Sequence, residues 1–209
     1  MRTRGVIGFC GFLLIAVLLT VSIICNSISG QLSGWELVRA LLLVGYYMLA
    51  SIAYIIRYPK VYQGRGFKEG VFPFIVAFAL PLLIALSSDK EIAGTVVPGG
   101  PGLLTKDLTL YPLKVLGAVM GISGIVLTIW ALWHLRRSFA IAVSFSKLVK
   151  SGPYRWINHP MYCGEFINLL GYWLGRTTPL GGIFLLVFGF GLISRASLEN
   201  RCLSRIGFD

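Results

Sequence analysis

Long apolar runs broken by short polar turns set the pattern of this chain. Val6–Ile28 is apolar apart from Thr20, Ser22, Asn26 and Ser27, and follows a positive start at Arg2 and Arg4. It exceeds the roughly 7–15 residues of a signal-peptide core and further runs follow, so it reads as a first transmembrane helix. Trp35–Ile56 reads as the second, with Trp35 and Tyr54 placed as interfacial aromatics. Val71–Leu86 is a third run, short of the roughly 20 residues of a straight span and kinked by Pro73 and Pro81. Leu110–Leu135 is a fourth. Met161–Leu174 and Leu180–Ile193 are shorter runs on either side of Gly175–Pro179, which supplies both a turn and a charge. These two read as a helical hairpin, with one long kinked helix as the alternative. The pattern predicts an all-α fold, a polytopic membrane helical bundle of about five to six transmembrane helices closing on a C-terminal hairpin.

Between the runs, Arg57–Lys68 is a short basic loop, and Asp89–Asp107 carries the turn-rich PGGPG of Pro98–Gly102. Gly117–Gly121 and Gly171–Gly175 are GxxxG pairs, which let helices approach closely in lipid. The chain has no long polar half that would fold separately. Residues 1–135 hold the N-terminal transmembrane helices and residues 136–209 a C-terminal region, in one integrated membrane domain.

Composition supports this reading. The chain has 209 residues, 56% hydrophobic and 13% charged, about half the charged fraction of a soluble domain. A net charge of +11 would suggest nucleic acid in a soluble protein, but here it reads as cationic cytoplasmic loops. With an even number of crossings, Arg39, Lys90, Lys106, Lys114 and Arg176 fall on one side and the remaining fourteen of the 19 lysines and arginines on the other. Both termini and Ser146–Glu165 are therefore expected on the cytosolic face, of a bacterial inner membrane or an endoplasmic reticulum. Cys10, Cys25, Cys163 and Cys202 form no CxxC, and neither His134 nor His159 accompanies them. Neither a metal site nor a disulfide framework is expected, and Cys10 and Cys25 read as packing residues.

Ser146–Glu165, SKLVKSGPYRWINHPMYCGE, is the longest polar passage that also carries turn signals, a histidine and several aromatics. Gly152-Pro153 signals a turn. His159-Pro160 signals a helix start, because proline suits the first helical position. The N–H groups and dipole of that first turn suit a carboxylate or phosphate. Tyr154, Trp156 and Tyr162 offer aromatic surface for a flat base, and Lys147, Lys150 and Arg155 add positive charge. The second polar cluster is SRASLENRCL, where Arg195 and Glu199 are four apart and share one helix face. Ionisable groups following an apolar helix at interfacial depth are functional candidates. The two clusters together suit a zwitterionic, purine-bearing cofactor, with N–H groups for its carboxylate, Glu199 for its ammonium and aromatics for its adenine. Each feature also has a plainer role. The aromatics suit an interfacial belt, His159 a helix cap, and Lys150 and Arg155 topology signals. Arg195–Glu199 suits an exposed helix pair worth about 0.3–0.5 kcal/mol. His134 lacks comparable context and reads as interfacial.

At these residues the sequence resembles the isoprenylcysteine carboxyl methyltransferase family of membrane methyltransferases. The matching blocks are Leu148-Val149-Lys150-Ser151-Gly152-Pro153-Tyr154, Asn158-His159-Pro160-Met161-Tyr162-Cys163-Gly164, and Arg195 with Glu199-Asn200. The resemblance covers roughly the last 75 residues and leaves the N-terminal helices outside it. It implies S-adenosyl-L-methionine as cofactor, held at a cytosol-facing site by Ser146, Lys147, Leu148, Val149, Tyr154, His159, Pro160, Met161, Tyr162 and Glu199. It implies catalytic roles for Arg195 and Glu199, with Arg195 at the reacting end of the substrate. The implied partners are the lipid bilayer and a lipophilic small-molecule or prenylated substrate, with no nucleic acid and no metal. Two residues depart from the family pattern: Asn158 stands where the family has arginine, and Asn200 where it has a second glutamate. Two other functions stay open. Membrane sterol-type reductases that use NADPH share the HP-x-Y and terminal acidic segment, and a non-catalytic membrane protein of the same fold would tolerate Asn158 and Asn200.

Overall fold

The computed structural model describes residues 3–28, 34–56, 62–63, 111–139, 144–145, 149–175 and 179–206. The described elements are α1 (Thr3–Ile28), α2 (Gly34–Ile56), β1 (Tyr62–Gln63), α3 (Tyr111–Leu135), β2 (Ser144–Phe145), α4 (Pro160–Leu174) and α5 (Pro179–Ile206). Two single 3-10 turns, Arg136–Ser138 and Gly152–Arg155, lie between α3 and α4. Among the described residues the fold is helical, as the apolar runs predict, apart from one antiparallel pair of two-residue strands. The expected third run, Val71–Leu86, and the PGGPG loop lie outside the described residues.

The described helices pack in chain order, α1 on α2, α2 on α3, α3 on α4 and α4 on α5. The tightest of these contacts is α3 against α4. Its cause is glycine on both sides, meeting in reverse order along two antiparallel helices. An added Cβ on Gly117 would lie 2.6 Å from the Gly171 carbonyl oxygen. One on Gly171 would strike the Gly121 backbone, and one on Gly164 would strike Thr128. The two GxxxG pairs therefore face each other, and without side chains the backbones touch.

The hairpin of α4 and α5 forms as expected, each helix starting on a proline that gives up no needed N–H. The difference lies at its end. The apolar run stops at Ile193, but α5 continues unbroken to Ile206. Arg195, Glu199, Asn200 and Cys202 are therefore all helical residues.

Two apolar clusters stabilise the bundle. One joins Phe12, Tyr46, Ala50, Leu132, Phe139 and Met161, drawn from four helices and the segment after α3. The other joins Tyr162, Phe188 and Leu192 across the hairpin. Outward faces are apolar too: Leu14 and Leu18 on α1 and Leu186, Phe190 and Ile193 on α5 are exposed. Tyr111–Leu135 and Pro179–Ser204 are long and apolar enough to cross a membrane, while Phe9–Val21 and Leu37–Ala53 are shorter apolar helices. Cys10 is exposed, which corrects its reading as a packing residue.

Candidate functional site

The site stretch is held in place from both ends. Before it, β2 pairs with β1, Tyr62 opposite Phe145 and Gln63 opposite Ser144. This ties the segment after α2 to the segment that enters the site. Further on, the Gly152 turn sits directly on the last turn of α3. Gly152 has φ +59°, the left-handed region, and a Cβ there would lie 2.5 Å from the His134 ring. Glycine alone satisfies both the backbone and the space. His134, read as merely interfacial, supports this turn, with its Nδ1 3.0 Å from the Trp130 carbonyl oxygen.

Tyr154 follows in the 3-10 turn, half-buried against the first cluster. Burial pushes its phenol above the ordinary range, and the negative charges of Glu199 and Glu165 push it the same way. Tyr154 therefore stays a protonated donor at physiological pH. Trp156 does not join it. It is 74% exposed and lies beside Trp130, ring centroids 6.3 Å apart.

Pro160 and Met161 are buried, Met161 within the first cluster, so their side chains serve packing. The Met161 and Tyr162 N–H groups precede the first intrahelical bond, from the Cys163 N–H to the His159 carbonyl at 3.1 Å. His159 is the N-cap residue but makes no side-chain cap. Its ring instead stacks on Tyr162, centroids 5.3 Å apart and planes within 6°.

The two polar clusters meet at the mouth of the hairpin. The Tyr162 hydroxyl donates a hydrogen bond to Glu199 Oε1. Glu199 Oε2 lies 3.6 Å from His159 Nδ1, and His159 Nε2 lies 3.0 Å from Asn200 Oδ1. Asn200, the departure from the family pattern, thus partners His159. On the inner side, Arg195 Cζ lies 4.8 Å over the Tyr162 ring and its Nε is 3.6 Å from Glu199 Oε1. Arg195 is 3% exposed, which corrects the plainer picture of an exposed helix pair. Glu199 is the hub, touched by an aromatic hydroxyl, a guanidinium and an imidazole.

Of the other expected site residues, Val149 is half-buried; Asn158, the other departure from the family pattern, is exposed. Ser146, Lys147 and Leu148 lie outside the described residues. Among the described residues no group of three or more His, Cys, Asp or Glu is arranged to hold a metal.

Sequence reasoning gave no role to Glu165, Asn168 and Tyr46, and read Arg39 only as a charge on one side of the membrane. Glu165 accepts a hydrogen bond from the Tyr46 hydroxyl at 3.0 Å, joining α4 to α2. Arg39, counted with the charges outside the membrane, reaches into the bundle. Its Nε donates to Asn168 Oδ1 at 3.0 Å, and its guanidinium lies 4.5 Å over the Tyr172 ring. A signal was present: Tyr162, Glu165, Asn168 and Tyr172 follow helical spacing, a polar stripe along a short apolar run.

The fold and cluster define a helical bundle with membrane-length helices and a polar site at one end of its C-terminal hairpin. Residues 113–206 match the family model described as phospholipid methyltransferase. This family includes the isoprenylcysteine carboxyl methyltransferase-like membrane enzymes, so the match bears out the resemblance seen in the motifs. The match runs from within α3 to the end of α5, just under half of the chain. It holds Tyr154, His159, Tyr162, Arg195 and Glu199 but neither Tyr46 nor Arg39. No curated protein and no solved structure gave a match.

Proposed function

We propose that the protein is a multi-pass membrane methyltransferase that uses S-adenosyl-L-methionine and acts on a lipophilic acceptor. The observation that carries this is the closure of the hairpin onto one site: His159 and Tyr162 at the start of α4 joined to Glu199 and Asn200 near the end of α5, within the methyltransferase domain.

The chemistry of the donor set fits this cofactor. The first-turn N–H groups of Met161 and Tyr162 suit its carboxylate. Glu199, 16% exposed in its side chain, suits its ammonium, and the Tyr154 phenol is a retained donor. Ser146, Lys147, Leu148 and Val149 complete the binding segment by resemblance. When bound, the cofactor supplies an electrophilic methyl group that leaves sulfur with the sulfur keeping the bonding electrons, as the acceptor's lone pair bonds to carbon. The residues have to align acceptor and methyl in a site with little water. Arg195, beneath Tyr162, stands at the acceptor end and would orient a carboxylate bidentately. The carboxylate of a prenylated cysteine is one such acceptor and needs no general base. An amine needs one, and Glu199 or His159 lies at hand.

The charge distribution supports a cytosolic site and cytosolic termini, in a bacterial inner membrane or an endoplasmic reticulum. The cofactor then enters from water and the acceptor from the bilayer. The partnering of His159 by Asn200 speaks against a site that has decayed.

Calorimetry of the detergent-solubilised chain with S-adenosylhomocysteine and with NADPH tests the reading. Binding of S-adenosylhomocysteine is expected, and binding of NADPH alone would favour the sterol-type reductase and sink the proposal. Label from methyl-tritiated S-adenosylmethionine, offered N-acetyl-S-farnesylcysteine and phosphatidylethanolamine vesicles in parallel, identifies the acceptor class.

A further inference from the structure

Glu165 is a carboxylate within the bundle that the site as described does not use. It lies on α4 three residues after Tyr162, one turn along the same face. Tyr162 is the residue on which Arg195 rests, guanidinium carbon 4.8 Å from the ring centroid. Glu165 and the Arg195 guanidinium are thus both neighbours of the Tyr162 side chain. Glu165 is itself held from a third helix, its Oε1 3.0 Å from the Tyr46 hydroxyl of α2. Tyr46 is 7% exposed and packed among Phe12, Ala50 and Leu132, so its hydroxyl has little freedom.

A guanidinium is a planar fork of donors. One carboxylate on one side leaves its plane free to swing. Glu199, four residues along the same helix, reaches Nε at 3.6 Å. A second carboxylate on a different helix removes that freedom. It would also balance a cation that is 3% exposed, whose burial opposite a single acid is costly.

We propose that Glu165, held by Tyr46, is the positioning residue for Arg195, so that α2 sets where the acceptor sits although it lies outside the methyltransferase domain. The proposal rests on the methyltransferase reading. It assigns the pair to the acceptor end and leaves cofactor binding to Glu199, His159 and Tyr154. Specificity for the acceptor is then shared between the matched domain and the N-terminal helices.

The test uses the full chain in lipid nanodiscs, with Glu165→Gln, Glu165→Asp and Tyr46→Phe beside the wild type. S-adenosylhomocysteine affinity and binding capacity are measured by calorimetry. Turnover is measured with tritiated S-adenosylmethionine and whichever of N-acetyl-S-farnesylcysteine or phosphatidylethanolamine the wild type methylates. Glu165→Gln should bind S-adenosylhomocysteine within about two-fold of wild type, while kcat/KM for the acceptor falls roughly ten- to a hundred-fold. Tyr46→Phe should show a smaller loss of the same kind, and Glu165→Asp should recover part of the activity because it keeps the charge. Three outcomes overturn the proposal: wild-type kinetics in Glu165→Gln, an activity loss matched by lost binding capacity in all variants, or no recovery in Glu165→Asp. A wild type that binds no S-adenosylhomocysteine removes the methyltransferase reading and the proposal with it, and so is distinct from the other three.

Discussion

Tyr162 and Glu199 stand 37 positions apart in the chain and share one hydrogen bond across the mouth of the α4–α5 hairpin. The bond sets one carboxylate oxygen toward the phenol and Arg195, and the other toward His159. Glu199 is therefore both a latch on the hairpin and the carboxylate assigned to the cofactor ammonium. Glu199→Ala should abolish S-adenosylhomocysteine binding in calorimetry. Tyr162→Phe removes a hydrogen bond to a charged group, worth about 1.5–3 kcal/mol, and should weaken binding while leaving the helices folded. Arg195→Ala should spare cofactor binding and remove turnover. Equal loss of both would refute the division of roles.

His159 and Asn200 make the second link between the helices, at 3.0 Å. Asn200→Ala should release the His159 ring and lower S-adenosylhomocysteine affinity, by about 0.5–1.5 kcal/mol, the net contribution of a typical hydrogen bond. Asn200→Asp restores an acceptor oxygen and should retain more affinity than the alanine variant. Affinities indistinguishable from wild type in both would remove Asn200 from the site.

The α3–α4 crossing fixes where the site floor lies. At Gly124 an added Cβ would meet the Asn168 N–H and lie 2.7 Å from the Gly164 carbonyl. These are backbone atoms and cannot rotate away. Gly124→Ala should destabilise the protein by about 1–3 kcal/mol, the usual cost of overpacking. The measurement is the thermal midpoint in detergent. Binding capacity for S-adenosylhomocysteine should fall with the folded fraction.

Gly152 carries a different constraint, a left-handed backbone over the His134 ring. Gly152→Ala meets both the conformational penalty of about 1–2 kcal/mol and the ring itself. The loop bearing Tyr154 should shift, with cofactor affinity falling more than stability. His134→Ala opens space below the turn, and the double variant should recover part of the affinity. No recovery would mean that the ring is not what Gly152 must avoid.

Arg39 binds α2 to α4 through the Asn168 side chain and backbone carbonyl, at 3.0 and 3.3 Å. Arg39→Leu should lower the thermal midpoint, since hydrogen bonds of a charged group contribute about 1.5–3 kcal/mol. Arg39→Lys should not restore it fully, because an ammonium cannot reproduce the planar stack on Tyr172. Cofactor affinity per folded molecule should stay unchanged.

The chain by itself determined the helices, because length and apolarity are local properties. It showed where α3, α4 and α5 start, which glycines permit close approach, and which blocks around His159 and Glu199 resemble a methyltransferase family. It also marked Gly175–Pro179 as the turn that returns α5 to the mouth of the site. Its charge pattern gave Arg39 a side but no partner, since a count by side says nothing of contacts within the bundle. Only the tertiary structure decided what these residues touch. Glycine spacing does not say which helix will approach, and here each GxxxG pair is the other's partner. An i,i+4 pair does not reveal its burial, and Arg195 proved to be enclosed beneath Tyr162. The Tyr46–Glu165 bond spans 119 positions, a separation that no local pattern encodes. It exists because α2 packs against α3, and α3 brings α4 into reach through glycine. The hairpin mouth belongs in the same way to both levels, its two halves visible in the sequence and their union made by the fold.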